Sequence, residues 1–136
     1  MTEAESATGR RTARIYLVAL GVYCAGIFAE SSMSQPPGLA TVERHLSDKA
    51  VHAAAFFGMA LLAIGTSRAR KPERPIGTHL AFGIVFTTLY GISDEIHQRF
   101  TPGRSPDVFD VVADAIGACV AAVLVYAAVR LRRRAH

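Results

Sequence analysis

The sequence predicts an all-α fold: an integral membrane bundle of four transmembrane helices with both termini cytoplasmic. Three observations predict it. First, residues 15–29, 51–67, 76–92 and 115–129 contain no Lys, Arg, Asp or Glu, although 19% of the 136 residues are charged. Second, the runs AAAFFGMALLAI (53–64) and AIGACVAAVLVYAA (115–128) lack a polar residue every three to four positions. A soluble bundle helix would need that polar stripe. Third, the basic residues divide unevenly when the four spans alternate across a bilayer. Arg10, Arg11, Arg14, Arg68, Arg70, Lys71, Arg74, Arg130, Arg132, Arg133 and Arg134 fall on one side, and Arg44, Lys49, Arg99 and Arg104 on the other. The positive-inside rule makes the richer side cytoplasmic. The basic balance is therefore a topology signal, and the RLRRR tail flanks a last span; no nucleic-acid partner is expected.

A spanning helix needs about 20 mostly apolar residues. The uncharged cores are shorter, so they reach that length by drawing in flanking residues whose charged ends extend to the interface. The expected spans are 13–33, 49–68, 76–96 and 108–130. Residues 1–12 read as a disordered cytoplasmic N-terminus, 13–130 as one transmembrane domain, and 131–136 as a basic cytoplasmic tail.

The first span follows a polar leader whose Arg10-Arg11 pair fits a twin-arginine signal poorly, and cleavage near Ala25-Gly26 is a weak alternative. It ends before Pro36-Pro37-Gly38, which stops any helix. The LATVERHL segment (39–46) spaces Leu39, Val42 and Leu46 helically and reads as a short amphipathic piece on the outer interface. Ser47 then supplies a plausible N-cap for the second span. That span carries Gly58 and many alanines, which permit close helix approach. The RARKPERP turn leads to the third span. Thr101-Pro102-Gly103 marks a turn, and Ser105-Pro106-Asp107 opens the fourth span with Pro106 expected at its first helical position. Cys24 and Cys119 lie mid-span and read as small apolar packers, with no disulfide and no metal site expected from them.

The polar residues collect at one level. Glu30, Glu43, Asp48, Asp94, Glu95, Asp107, Asp110 and Asp114 fall at or near the outer ends of the spans, and only Glu3, Glu5 and Glu73 lie inside. Asp48 and His52 share a face at i, i+4, as do Asp110 and Asp114, while Glu95 and Gln98 do so at i, i+3. Gly117 and Ala121 continue the 110/114 face as a stripe of small residues. A carboxylate within a span is costly and faces the bundle interior. His52 and Asp114, the deepest, are expected to point inward at each other or at Arg104. Lys49, Arg99 and Arg104 are the available cations. The candidate ligand-binding residues are therefore Asp48, Lys49, His52, Glu95, Gln98, Arg104, Asp110 and Asp114. A structural ion-pair clamp at the helix ends is the competing reading of the same residues.

Asp48-Lys49-x-x-His52, then Glu95-x-x-Gln98-x-Phe100-x-Pro102-Gly103-Arg104, then Asp110 and Gly117, resemble the VanZ-like family of small bacterial membrane proteins, relatives of a teicoplanin-resistance protein. The resemblance covers about residues 47–117. It departs at Asp114, where the family pattern usually has Asn; the resulting carboxylate pair favours a cation or a proton. The resemblance implies a multi-pass protein of the bacterial cytoplasmic membrane with a cell-envelope role at the outer face, but it supplies no reaction.

Three functions fit. The first is a non-enzymatic envelope protein that binds a cell-wall precursor, a lipid headgroup or a glycopeptide and alters teicoplanin susceptibility. The second is a membrane-edge acid/base enzyme on a lipid-linked substrate, with His52 as base oriented by Asp48 or Asp110, Glu95 nearby, and Arg104 stabilising an anion. A metal-dependent version would use His52, Glu95, His97 and Asp110, but no tight metal signature supports it, and no cofactor is expected. The third is a proton-coupled transporter built on Asp110, Asp114 and His52. The sequence leaves the oligomeric state open.

Overall fold

In the computed structural model, residues 3–33, 48–102, 104 and 106–135 are described, with the side chains of 3–6 and 48 excepted. They form four helices: α1 (Glu3–Ser31), α2 (Asp48–Arg70), α3 (Ile76–Gln98) and α4 (Val108–Arg134). Each is long and apolar enough to cross a membrane, over Ala7–Ser31, Lys49–Arg70, Ile76–Gln98 and Val108–Arg134. Their outward residues are apolar: Val18 is 65% exposed, Leu89 61% and Val123 65%. Such a surface suits lipid and would be an aggregation liability in water.

The third and fourth helices start where the charge pattern placed them. Pro75 precedes α3 and leaves no backbone N–H to be satisfied there. At α4 the expectation needs correction. Pro106 is not the first helical residue; Asp107 is the N-cap, its carboxylate accepting the Phe109 N–H at 2.9 Å, and Val108 is the first helical position. Helix α1 begins at Glu3, ahead of the expected span and within the segment read as disordered. The residues EAESA are adequate helix formers, and a helix need not stop at the bilayer boundary. Likewise α4 takes in Leu131–Arg134, part of the expected tail. The 39–46 piece and Ser47 lie outside the described residues.

Helix α2 is the hub. It packs against α1, α3 and α4; α3 also packs on α4 and touches α1 lightly, while α1 and α4 do not meet among the described residues. Leu20, Phe56, Met59 and Ala63 fill the α1/α2 side, with Phe86 and Tyr90 of α3 against them. Ala60, Ala118 and Ala121 form the core of the α2/α4 contact, beside Phe57. Gly117 is what lets these two helices close. A Cβ there would lie 2.9 Å from the Ala53 carbonyl carbon and 3.0 Å from the Phe57 nitrogen, with the Ala53 oxygen nearer still. The small-residue stripe read from the sequence is thus the α2/α4 seam.

Two tyrosines tie α1 to its neighbours inside the apolar layer. The Tyr23 hydroxyl donates to the Ala55 carbonyl at 2.9 Å, and the Tyr90 hydroxyl to the Cys24 carbonyl at 2.6 Å. At the basic end, Ser67 and His79 are 2.8 Å apart across the α2/α3 turn. Arg130 lies over the Tyr126 ring at 5.4 Å and donates to its hydroxyl at 2.9 Å, an aromatic–cation pair suited to a membrane boundary. The opposite end carries the acids.

Candidate functional site

At the acidic end the N-termini of α2 and α4 and the C-terminus of α3 converge. Lys49 and His52 are i, i+3 on α2 and face α4. Asp110 and Asp114 are i, i+4 on α4 and face back. The resulting ladder has two rungs. The outer rung is Lys49, whose Nζ lies 2.5 Å from Asp107 Oδ2 and 2.5 Å from Asp110 Oδ1. The inner rung is His52, whose Nδ1 lies 3.1 Å from Asp114 Oδ1 while its Nε2 lies 3.8 Å from Asp110 Oδ2. One imidazole therefore stands between two carboxylates. Its ring is near-parallel to Phe56 below it, at 6.2 Å between centroids.

The sequence left two partners open for His52 and Asp114; the structure joins them to each other. Arg104 is engaged elsewhere. Its Nη2 bonds the Glu30 carboxylate at 2.9 Å and the Glu30 carbonyl at 3.2 Å, and its Nε bonds the Met33 carbonyl at 3.1 Å. A guanidinium on the terminal carbonyls of α1 is a helix C-cap, so Arg104 clamps the α3/α4 connection to α1. Of the two carboxylates on α4, Asp114 makes the shorter contact with His52, at 3.1 Å against 3.8 Å for Asp110. The side chain of Asp48, Gly103 and Ser105 lie outside the described residues.

Helix α3 contributes the third wall. Glu95 and Gln98 are both buried, but Gln98 donates from Nε2 to Asp94 Oδ2 at 3.0 Å, an i, i+4 pair. Glu95 Oε2 accepts the Asp107 backbone N–H at 2.7 Å. The other oxygen, Oε1, is buried with no hydrogen-bond partner. Gly91, one turn below, leaves space for Asp114: a Cβ there would lie 3.2 Å from Asp114 Cβ and would press on its carboxylate. His97, drawn into the metal version of the site, points away instead. Its ring lies 4.5 Å from Phe28 and its Nε2 is 3.0 Å from Ser32 Oγ, both on the α1 side. Among the described residues no three His, Cys, Asp or Glu side chains are arranged to hold a metal ion.

The electrostatic balance is acidic. Asp94, Glu95, Asp110 and Asp114 are each less than one-tenth exposed, and Lys49 and His52 are basic groups bonded among them. Asp107, at the rim and outside the spans, has its carboxyl held below the usual carboxylate range, first by the Lys49 ammonium and then by the Phe109 N–H. Asp94, Asp107 and Gly91 were not singled out from sequence as site residues. The i, i+4 spacing of Asp94 and Gln98 was a signal for the first; the other two depend on contacts between helices.

Comparison with known proteins agrees with the motif reading over a longer range. The family model described as VanZ/LLP1 matches residues 8–130. No curated protein and no solved structure matches the chain.

Proposed function

Since the chain belongs to the VanZ/LLP1 family, we propose that this multi-pass membrane protein sits in the bacterial cytoplasmic membrane with both termini inside. Its acidic end then faces outward as a binding site for a polar envelope ligand. Sidedness is supported by the distribution of basic residues: the ends carrying Arg10, Arg11 and Arg14, the 71–75 turn and the α4 C-terminus lie together, opposite the cluster. The positive-inside rule assigns that end to the cytoplasm.

The observation that carries the binding reading is the unspent oxygen of Glu95. A clamp at the helix ends requires Lys49 with Asp107 and Asp110, and it needs nothing further. A buried carboxylate oxygen left without a donor costs stability, and that cost makes sense when a ligand supplies the donor. Wall precursors, glycopeptides and many lipid headgroups carry hydroxyl, amide or ammonium donors. On this reading the protein alters susceptibility to teicoplanin-like antibiotics by engaging such a group at the membrane surface. Expression in a susceptible host tests it. The wild type should raise tolerance, and His52→Ala and Glu95→Ala should abolish it at equal membrane abundance; loss of abundance instead would support the clamp.

One observation favours a second reading, a membrane-edge acid/base enzyme. His52 with Nδ1 on Asp114 and Nε2 turned toward Asp110 has the tautomer control that a general base requires. A proton-coupled transporter finds less support, because the inner halves of the described spans hold no Asp or Glu.

A further inference from the structure

On the bilayer-facing side of the cluster, α3 and α4 line a cleft of about 310 Å³. Ile92 and Ile96 of α3 and Val108 and Val111 of α4 form its walls, with Glu95 and Arg99 in its lining. The walls are open to the lipid: Ile96 is 52% exposed and Val108 78%. The volume is at the small end of the range for ligand sites, about 300–1,000 Å³. Arg99, exposed and the C-cap residue of α3, has no ion pair or hydrogen bond through its side chain among the described residues. Glu95 and Arg99 are i, i+4, so they stand one above the other on the face that borders the cleft.

Deepening the outer-site reading above, and resting on it, we propose that this cleft is a lateral seat for a phosphate-bearing membrane lipid. One acyl or prenyl segment lies between Ile92, Ile96, Val108 and Val111. The Arg99 guanidinium holds the phosphate at the water boundary, where two N–H groups can address two phosphate oxygens. A rotation of the Glu95 side chain brings its Oε1, buried and without a donor, to the cleft, where it accepts from a hydroxyl or ammonium of the headgroup. Charge complementarity selects this occupant. An apolar groove alone would accept any chain, and a basic rim alone would accept any anion. Apolar walls, an acceptor and a cation in one cleft match a lipid whose headgroup has both a phosphate and a donor that can fold back beside it. The same Glu95 carboxylate reaches Asp107 through its other oxygen, and Asp107 reaches Lys49. A lipid seated here therefore enters from the bilayer plane with its headgroup beside the His52 ladder.

The test is native mass spectrometry of the delipidated full-length protein, titrated with phosphatidylglycerol and, separately, phosphatidylcholine, whose headgroup has no hydrogen-bond donor. Wild type should retain phosphatidylglycerol preferentially. Arg99→Gln and Val108→Trp should each weaken it about tenfold, the order expected for losing a charge-assisted hydrogen bond or its seat. Val108 is exposed, so its replacement fills the cleft without entering the core. Glu95→Gln should weaken the preference over phosphatidylcholine. Equal retention by wild type and both cleft variants would overturn the proposal. So would displacement of the lipid by inorganic phosphate alone, which would reduce the site to an ion contact. If His52→Ala leaves the resistance phenotype intact while Arg99→Gln and Val108→Trp still lose lipid, the lipid seat stands and the role of the His52 cluster falls.

Discussion

Replacing Asp114 with asparagine isolates one charge at the innermost point of the cluster. The side chain keeps its shape, and an amide oxygen can still accept from His52 Nδ1, which lies 3.1 Å from Asp114 Oδ1. Two effects oppose each other. A charged carboxylate within a membrane helix costs about 2.5–3.5 kcal/mol at mid-span, an upper bound for a residue near one end. Asp114 is 1% exposed, so water does not relieve that cost. Against it, a hydrogen bond to a charged group contributes about 1.5–3 kcal/mol and a neutral one about 0.5–1.5, so the substitution forfeits roughly 1–1.5 kcal/mol. With the low end of the relief, as suits a residue near one end, and the high end of the loss, the relief outweighs the loss by about 1 kcal/mol, which corresponds to a rise of roughly 3–5 °C in unfolding temperature for a chain of this size. We expect Asp114→Asn to be slightly more stable than wild type and to lose the His52-dependent phenotype. Thermal unfolding in detergent, followed by a cysteine-reactive dye at Cys24 in a background with the exposed Cys119 replaced by alanine, measures the first, and the susceptibility assay the second. A destabilisation of about 2 kcal/mol or more would refute the reasoning, because that is the signature of a required buried ion pair.

The remaining predictions concern the frame around that pair. The lowered ionisation of Asp107 implies stability present above the unfolded carboxylate value and lost as pH falls through the folded one; wild type and Asp107→Asn should differ near neutrality and converge in unfolding scans below about pH 4. Gly117→Ala forces a methyl onto the Ala53 backbone and should cost about 1–3 kcal/mol, read as reduced thermal stability and membrane abundance. Tyr90→Phe removes one hydrogen bond to α1 and should cost only about 0.6 kcal/mol, the size measured for such bonds between membrane helices; a loss above about 2 kcal/mol would mean that α1 is held mainly by this bond.

Much of the fold was legible because lipid is an exacting solvent: it excludes charge from four stretches, and those stretches are the helices. Helix starts were legible where a local residue enforces them, as at Pro75, and nearly so at Asp107. The start of α1 was not, because hydropathy reports where a bilayer can lie, while helix propensity continues past it to Glu3. Within the site, helical spacing and depth sufficed to turn His52 and Asp114 inward at one level, but left each other and Arg104 as alternative partners. They did not suffice for Arg104, which lies in a connection whose path no periodicity fixes and which turned to α1. Nor could spacing reveal that Glu95 would accept the backbone N–H that precedes α4, a contact across two helices. Arg99 was visible only as a cation; what distinguishes it is the cleft between α3 and α4, which no single helix encodes.

The hub position of α2 has a consequence for biosynthesis. Ribosomal synthesis delivers α1, α2 and α3 first, and each packs on one already present. Asp107, Asp110 and Asp114, the acids that bond Lys49 and His52, arrive only with α4. A nascent chain that has not yet released its last quarter is therefore an apolar three-helix body whose polar end lacks those counter-charges. The final insertion step both closes the α2/α4 seam at Gly117 and completes the cluster. Assembly and competence are thereby coupled in time, and a chain terminated before Val108 should be cleared by membrane proteolysis rather than persist as an inactive form.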